Sequence, residues 1–191
     1  ETLPPKYAEM QTNGYLWTAG DTPSGQTIVS ENGILFKIDW LTGQKTGFFL
    51  DQQDNRRAIQ QIVKGADVLG AFCYTGSFEI CAAHYGAKSV LGLDISQSIC
   101  TFECVNAFDV LKEWSKEGKQ WDVVMLDPPS FTKSRATINK AIAGYKEINL
   151  RGMKLVKPGG FLVTSSCTNL VQPELFLDII QMAATDAKRK I

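Results

Sequence analysis

The sequence predicts an α/β fold, a doubly wound, mostly parallel sheet preceded by a small antiparallel β segment. Two observations carry that reading. From Asp51 onward, short apolar runs of strand length alternate with longer segments of helical period, the pattern of a parallel sheet covered on both faces. Before Asp51, turn signals recur at Asn13-Gly14, Gly20-Asp21, Asn32-Gly33 and Thr42-Gly43, and they break the chain into hairpin-sized pieces. A length of 191 residues with 44 % hydrophobic content suits a chain with a substantial core.

Residues 26–30 and 34–40 read as strands on either side of Asn32-Gly33. Residues 1–50 are therefore expected to form a β-hairpin segment too small to fold alone, and residues 51–191 the main domain. Within the latter, residues 54–64 predict a helix stopped by Gly65, and residues 66–72 a continuous apolar strand. A helix over 77–85, stopped by Gly86, precedes a strand over 89–93. A helix over 108–116, a strand over 121–126, a long helix over 138–156, a strand over 160–164 and a helix over 173–187 complete the pattern.

One interval is too short for this pattern. Only eleven residues, 95–105, separate Asp94 from Asn106, whereas a parallel crossover takes about 10 to 12 residues and its strand about five more. Residues 101–105 look like a complete strand, so roughly 15 to 20 residues are expected to be lacking near Cys100-Thr101.

Composition limits the partners. With 20 Lys+Arg against 20 Asp+Glu the net charge is zero, which excludes a whole-domain field for polyanions but not a local basic face. No apolar run approaches the roughly 18 residues of a membrane span, and the N-terminus shows no secretion signal. Cys73, Cys81, Cys100, Cys104 and Cys167 form no CxxC pair, and His84 is the only histidine. Neither a zinc site nor a disulfide framework is expected, and reduced thiols in a cytosol are the simplest reading. His84 reads as structural, and Trp17, Trp40, Trp114 and Trp121 read as packing residues.

Four strand ends carry chemistry. The apolar strand over 66–72 runs through Cys73 and Tyr74 into a tight turn at Thr75-Gly76 and directly into a helix, the place where doubly wound sheets bind nucleotide-like ligands. Neither a P-loop nor a GxGxxG pattern is present. Asp94 closes the next strand some twenty residues later, where a carboxylate either accepts two hydrogen bonds from a ribose diol or caps the following helix. Turn and acid together point to an adenosine-bearing cofactor. At the end of the strand over 121–126 stands Asp127-Pro128-Pro129-Ser130-Phe131, where two prolines force a stiff exit and present the Asp127 carboxylate to the crevice. Cys167, among hydroxyl residues at the end of the strand over 160–164, is placed as a nucleophile would be.

Together these segments resemble one family. GQKTGFFLDQ (43–52) with Asn55-Arg56, FCYTG (72–76), DIS (94–96), DPPSF (127–131), GYKEIN (144–149), KPGG (157–160) and TSSC (164–167) are similar to the class I S-adenosylmethionine-dependent methyltransferases that make 5-methylcytosine in large-subunit ribosomal RNA. The resemblance implies a Rossmann-like sheet and S-adenosyl-L-methionine as cofactor. It also implies a PUA RNA-binding domain ahead of residue 1 and further strands beyond residue 191, so that 1–50 ends a middle domain. By the same resemblance Phe72, Tyr74, Thr75 and Gly76 wrap the methionine part of the cofactor, Asp94 and Ile95 hold the ribose, and Asn106-Ala107 meet the adenine edge. Thr46, Gly47 and Phe48 close over the site, Asp127 both touches the cofactor and lines the target-base pocket, and Cys167 is the nucleophile. Gly70 stands where the family often has Asp or Asn, and Asn106 where it often has Asp. An Asn106 amide still accepts from the adenine amine.

The chemistry suits those residue types. C5 of cytosine is a poor nucleophile until a thiolate adds at C6, and a protonated or hydrogen-bonding Asp127 carboxyl would neutralise charge developing on the ring. The target must leave its stack, with Phe131 as a stacking partner. Lys45, Arg56, Arg57, Lys133, Arg135, Lys140 and Lys146 are candidate ribosomal RNA contacts, no membrane partner is expected, the location is cytoplasmic, and a homodimer is left open. Two alternatives keep the fold: a guanine-N7 methyltransferase, which needs no thiol, and a non-catalytic RNA-binding or ribosome-assembly module.

Overall fold

The computed structural model describes residues 20–21, 24–43, 47–95 and 103–191. Lys45, Thr46, Trp17 and the interval at Cys100-Thr101 lie outside the described residues. The chain divides into two compact units, Glu1–Arg57 and Ala58–Ile191.

In the first unit, strands β1 (Gln26–Glu31) and β2 (Ile34–Asp39) pair antiparallel, with Glu31 opposite Ile34 and Gln26 opposite Asp39. The two-residue turn Asn32-Gly33 has φ of 52° and 81°, the left-handed pair that matches the twist of a hairpin. Ile34, Phe36 and Ile38 alternate inward while Leu35 is exposed. Helix α1 (Gln53–Ala58) follows a single 3-10 turn at Leu50–Gln52. Its Arg56 is fully buried and grips Glu31 through Nε at 2.6 Å and Nη2 at 2.7 Å, and Nη2 also donates to the Phe49 carbonyl at 2.9 Å. The guanidinium lies 4.5 Å from the Phe48 ring centroid, and that ring packs on Phe36.

Arg56 ties its helix to the hairpin, and the two compact units divide after Arg57. The buried pairing corrects Arg56 as an RNA contact, since its donors are turned inward. The expected helix over 54–64 is split at Ile59 into α1 and α2 (Gln60–Val63), where the Ile62 amide bonds the Ile59 carbonyl in the tighter i to i+3 manner.

In the second unit, strands β3 (Asp67–Ala71), β4 (Ser89–Asp94), β5 (Glu103–Cys104), β6 (Trp121–Leu126) and β7 (Val156–Thr164) form one sheet. All neighbours are parallel, in the order β5-β4-β3-β6-β7. Helices α3 (Ser77–His84), α4 (Ala107–Glu117), α5 (Ile138–Leu155) and α6 (Pro173–Ala187) connect and cover them. One face is closed by a core of Leu69, Ala71, Leu93, Val124 and Leu126 from the strands with Ala107 and Leu111 of α4 and Leu155 of α5. Gly70, which alternates with Leu69 and Ala71, meets Glu79 of α3, so α3 lies on the opposite face. The sheet is doubly wound as the alternation predicted.

Two strands depart from expectation. The strand expected over 101–105 is the two-residue β5, paired only with the last residues of β4, Leu93 and Asp94. Eight residues lie between these strands, fewer than the roughly 10 to 12 of a complete parallel crossover. Strand β7 begins at Val156 rather than 160, with a register break: Trp121 faces Val156, and Val123 faces Phe161. The intervening Lys157-Pro158-Gly159-Gly160 bulges out, with Gly159 at φ 78°, because Pro158 has no amide to give the ladder.

Candidate functional site

The chain leaves β3 toward β4 and β5 on one side, and β6 continues to β7 on the other. The switch point between β3 and β6 opens a crevice at their carboxyl ends, where ligands bind in such sheets. Register aligns the four strand ends: Ala71 faces both Leu93 and Leu126, and Leu126 faces Thr164. Phe72, Asp127 and Ser165 therefore follow directly at one edge, with Asp94 closing β4 beside them.

The turn after β3 is held in an uncommon conformation. Phe72 and Tyr74, neither of them glycine, have φ of 65° and 50°, and Gly76 has 75°. Such residues cost on the order of 1 kcal/mol or more each and persist where the surroundings fix them. Here the Phe72 and Cys73 amides donate to the Leu93 carbonyl at 2.8 and 3.3 Å, and the Gly76 amide to the Cys73 carbonyl at 2.7 Å. The Tyr74 amide donates to Asp94 Oδ2 at 2.8 Å. Turn and acid, separated by twenty residues, are thus one unit.

Beside them, Phe72 packs edge-on to Phe108 at 5.0 Å, Phe108 lies 5.7 Å from Phe131, and Phe131 lies 4.5 Å from Tyr145. Asn106 caps α4, its Oδ1 accepting from the Phe108 amide at 3.1 Å. Ala107 is buried in the core, so only its backbone is available to a ligand. Ile95 is exposed.

The other half of the site stands on β6 and β7. The Asp127 amide donates to the Ala71 carbonyl at 3.3 Å and the Ser165 amide to the Leu126 carbonyl at 3.1 Å, extending the sheet past both strand ends. Asp127 Oδ1 accepts a short hydrogen bond from Ser165 Oγ, and the exposed Cys167 Sγ donates to the same oxygen at 3.5 Å. Thr168 Oγ1 donates to the Thr132 carbonyl at 3.2 Å, fastening the cysteine segment to the loop after the two prolines. Thr132 is itself buried, with its hydroxyl on Ser134 and Thr137.

The structure thus brings together Phe72, Tyr74, Gly76 and Asp94, and, across the switch point, Asp127 and Cys167. Lys133, Arg135 and Lys140 are exposed on the segment beyond Phe131, and the partly exposed Lys146 pairs with Asp186 at 2.7 Å. Phe131 is half-buried among aromatic rings, with Gly144 beside it. Gly47, Phe48 and Arg57 belong to the first unit. There Gly47, at φ 76°, has no room for a side chain against the Asp39 carbonyl, and Arg57 is exposed.

Sequence reading missed Glu79. This first-turn residue of α3 is only 4 % exposed, and burial, reinforced by the nearby Asp127 and Asp94 charges, pushes its carboxyl up to about 8. Its signal was an acid among Phe78, Ile80, Cys81 and Ala82, which reads as an ordinary helix start. Among the described residues no helix is long and apolar enough to cross a membrane.

Comparison with known proteins agrees with this geometry. Residues 8–188 match the family described as S-adenosylmethionine-dependent methyltransferase. The chain is 40 % identical over 189 residues to Ribosomal RNA large subunit methyltransferase I of Shewanella denitrificans, covering 90 % of this chain and 48 % of that protein. The protein of the same name in Vibrio parahaemolyticus is 38 % identical over 200 residues, covering 95 % of this chain and 50 % of that protein. The chain therefore spans about half the length of the curated relatives it matches.

Among solved structures, SMU.776 complexed with SAH superposes with a TM-score of 0.73 at 23 % identity, over 87 % of this chain and 48 % of that one. The SAM-dependent methyltransferase from Agrobacterium tumefaciens superposes at 0.74 with 16 % identity, over 91 % of this chain and 62 % of that one. These two likenesses concern the fold. S-adenosylmethionine fits the crevice: a preset turn, a carboxylate at the end of the neighbouring strand and a buried acid packed on Gly70 of β3 suit a ligand with a ribose diol and a cationic end. By its sequence match and its sheet order, the chain belongs to the S-adenosylmethionine-dependent methyltransferase family.

Proposed function

We propose that the chain is the catalytic part of a ribosomal RNA methyltransferase acting on C5 of a cytosine in the large-subunit RNA, in the cytoplasm, with Cys167 as nucleophile. The observation that carries this reading is the exposed Cys167 thiol donating to Asp127 Oδ1 at 3.5 Å, beside the cofactor turn. A guanine-N7 enzyme has no use for a thiol in that position.

Asp127 takes the Cys167 proton as the thiolate adds to C6 of the ring, and Ser165 holds the carboxyl in place. The same Asp127 proton is then available to the ring nitrogen where charge accumulates. The bound cofactor supplies an electrophilic methyl group. Loss of the C5 proton to a base restores the C5–C6 double bond and expels the Cys167 thiolate, and the ring nitrogen returns its proton through Asp127 to the thiolate. Phe72, Tyr74, Thr75, Gly76, Asp94, Asn106 and Ala107 hold the cofactor, together with Ile95. Lys133, Arg135 and Lys140 form a local basic face that meets RNA despite zero net charge. Phe131 stacks on the extruded base.

The test is methyl transfer from labelled S-adenosylmethionine to unmodified ribosomal RNA, followed by nucleoside analysis, with the wild-type chain and Cys167→Ala. The expected product is 5-methylcytidine, lost in the variant. Methyl on guanine N7, or full transfer by the variant, overturns the covalent cytosine mechanism. Cofactor binding without transfer to any RNA favours an assembly module instead.

A further inference from the structure

Glu79 is buried where an acid has no structural reason to be. A Cβ added to Gly70 would collide with Glu79 Oε1 and stand 2.7 Å from its carboxyl carbon, so the carboxyl fills the space a β3 side chain would occupy at the crevice floor. Its Oε2 is buried and has no hydrogen-bond partner among the described residues. Apart from a hydrogen bond from its own backbone amide, the carboxyl is left with a buried, unsatisfied oxygen, which is destabilising, and a position kept only for packing would hold an apolar residue. Facing it are two further acids, Asp94 at the end of β4 and Asp127 after β6. β3 presents only Gly70 there, and the Gln60-Gln61-Ile62-Val63 sequence of α2 carries no charge. Three carboxyls around one crevice are complementary to a cation.

We propose that Glu79 is a cofactor-binding residue whose Oε2 receives the α-ammonium of S-adenosylmethionine, and that Glu79 releases its proton to solvent as the cofactor binds. This rests on the reading of the crevice as the cofactor site. No covalent bond changes: a neutral carboxyl becomes a carboxylate, the proton leaves to buffer, and the ammonium charge replaces it. The same group that meets the cation in the loaded site is thus stored neutral in the empty one, which removes the mutual repulsion of three anions.

Calorimetric titration of the full chain with S-adenosylmethionine at pH 7, in two buffers of different ionisation enthalpy, counts the protons released. With a group titrating near 8, about 0.9 proton per cofactor is expected from Glu79. Glu79→Gln is expected to lower the count by that amount and to weaken binding roughly tenfold or more. The wild-type affinity is also expected to rise about tenfold from pH 6 to pH 7 relative to the variant. The cofactor's own amino group titrates with both proteins and cancels in the comparison.

A second measurement needs no variant. 5′-Methylthioadenosine, which lacks the amino-acid end, is expected to bind the wild-type chain without the proton release. An unchanged proton count in Glu79→Gln, or equal release with 5′-methylthioadenosine, overturns the role of Glu79 alone. Failure of the wild-type chain to bind S-adenosylmethionine overturns the cofactor reading and this proposal with it. A purely structural Glu79 at the start of α3 would change neither count.

Discussion

Burying Glu79 has a consequence for stability that can be measured without any ligand. In the unfolded chain its carboxyl ionises near the ordinary 4.5, and in the folded protein only near 8. Between these values the folded state holds one more proton than the unfolded state, so stability falls as pH rises through the window. The contribution is fully present below about 4.5 and lost as pH passes about 8; at about 1.4 kcal/mol per pH unit the total is about 5 kcal/mol. Glu79→Gln keeps the shape and abolishes the titration. Wild type and variant should therefore be close at pH 5, and the variant should be the more stable by several kcal/mol at pH 8.5. Urea denaturation at pH 5, 6.5 and 8.5, followed by fluorescence of the stacked Trp114 and Trp121 pair in a background with Trp17 and Trp40 replaced by Phe, reads the second unit. Other groups do not tilt the comparison. Asp67 and Asp122 are held below the usual carboxylate range, chiefly by hydrogen bonds from the Ser89 side chain and the Asp67 amide, and Lys157 is raised by Asp122. All three are common to both proteins. Parallel pH profiles for wild type and variant would show that Glu79 is already ionised in the fold.

Three further outcomes are expected. Asp94→Asn removes the charge that the Tyr74 amide meets and should weaken S-adenosylmethionine binding roughly ten- to hundredfold with an unchanged circular dichroism spectrum; an unaltered Kd would refute the ribose assignment. Glu31→Gln leaves the buried Arg56 guanidinium without its counter-charge and should destabilise the first unit by about 3–5 kcal/mol. Hydrogen exchange at the amides of residues 26–39 would reveal that loss, and undiminished protection would contradict it. Ser165→Ala frees the Asp127 carboxyl from its hydroxyl partner and should lower kcat on RNA by roughly tenfold or more while leaving cofactor Kd untouched; a rise in cofactor Kd instead would place Asp127 with the cofactor.

Much of this architecture is written in local pattern. Strand β6, Trp121–Leu126, ends where the apolar run over 123–126 ends, because a strand segment buried on both faces carries a continuous apolar signal. Helix α6 begins at Pro173 for a reason equally local, the missing amide at a helix's first turn. The turn at Thr75-Gly76 and the acid at Asp94 were legible as separate signals, but the hydrogen bond that joins them is a property of strand pairing. What escaped reading depends on partners distant in sequence. Arg56 looks like one of a run of surface cations until Glu31, twenty-five residues earlier, is brought against it. Glu79 looks like a favourable acid at a helix start until Gly70 leaves it room on β3. The start of β7 at Val156 escaped because Pro158 and Gly159 read as a break in the strand, whereas β6 pairs on both sides of the bulge they form.

The bonds that fix the cofactor turn come almost entirely from β4: the Leu93 carbonyl takes two amides of the turn, and the Asp94 carboxylate takes a third. The site is therefore a gauge of how β3 and β4 are aligned. A slip of one residue would reverse the faces of the strand, presenting Leu93 where the acid belongs and leaving three amides without acceptors. Misaligned chains would thus be unable to hold the cofactor, and cofactor affinity becomes a measure of correct strand pairing, independent of any activity on RNA.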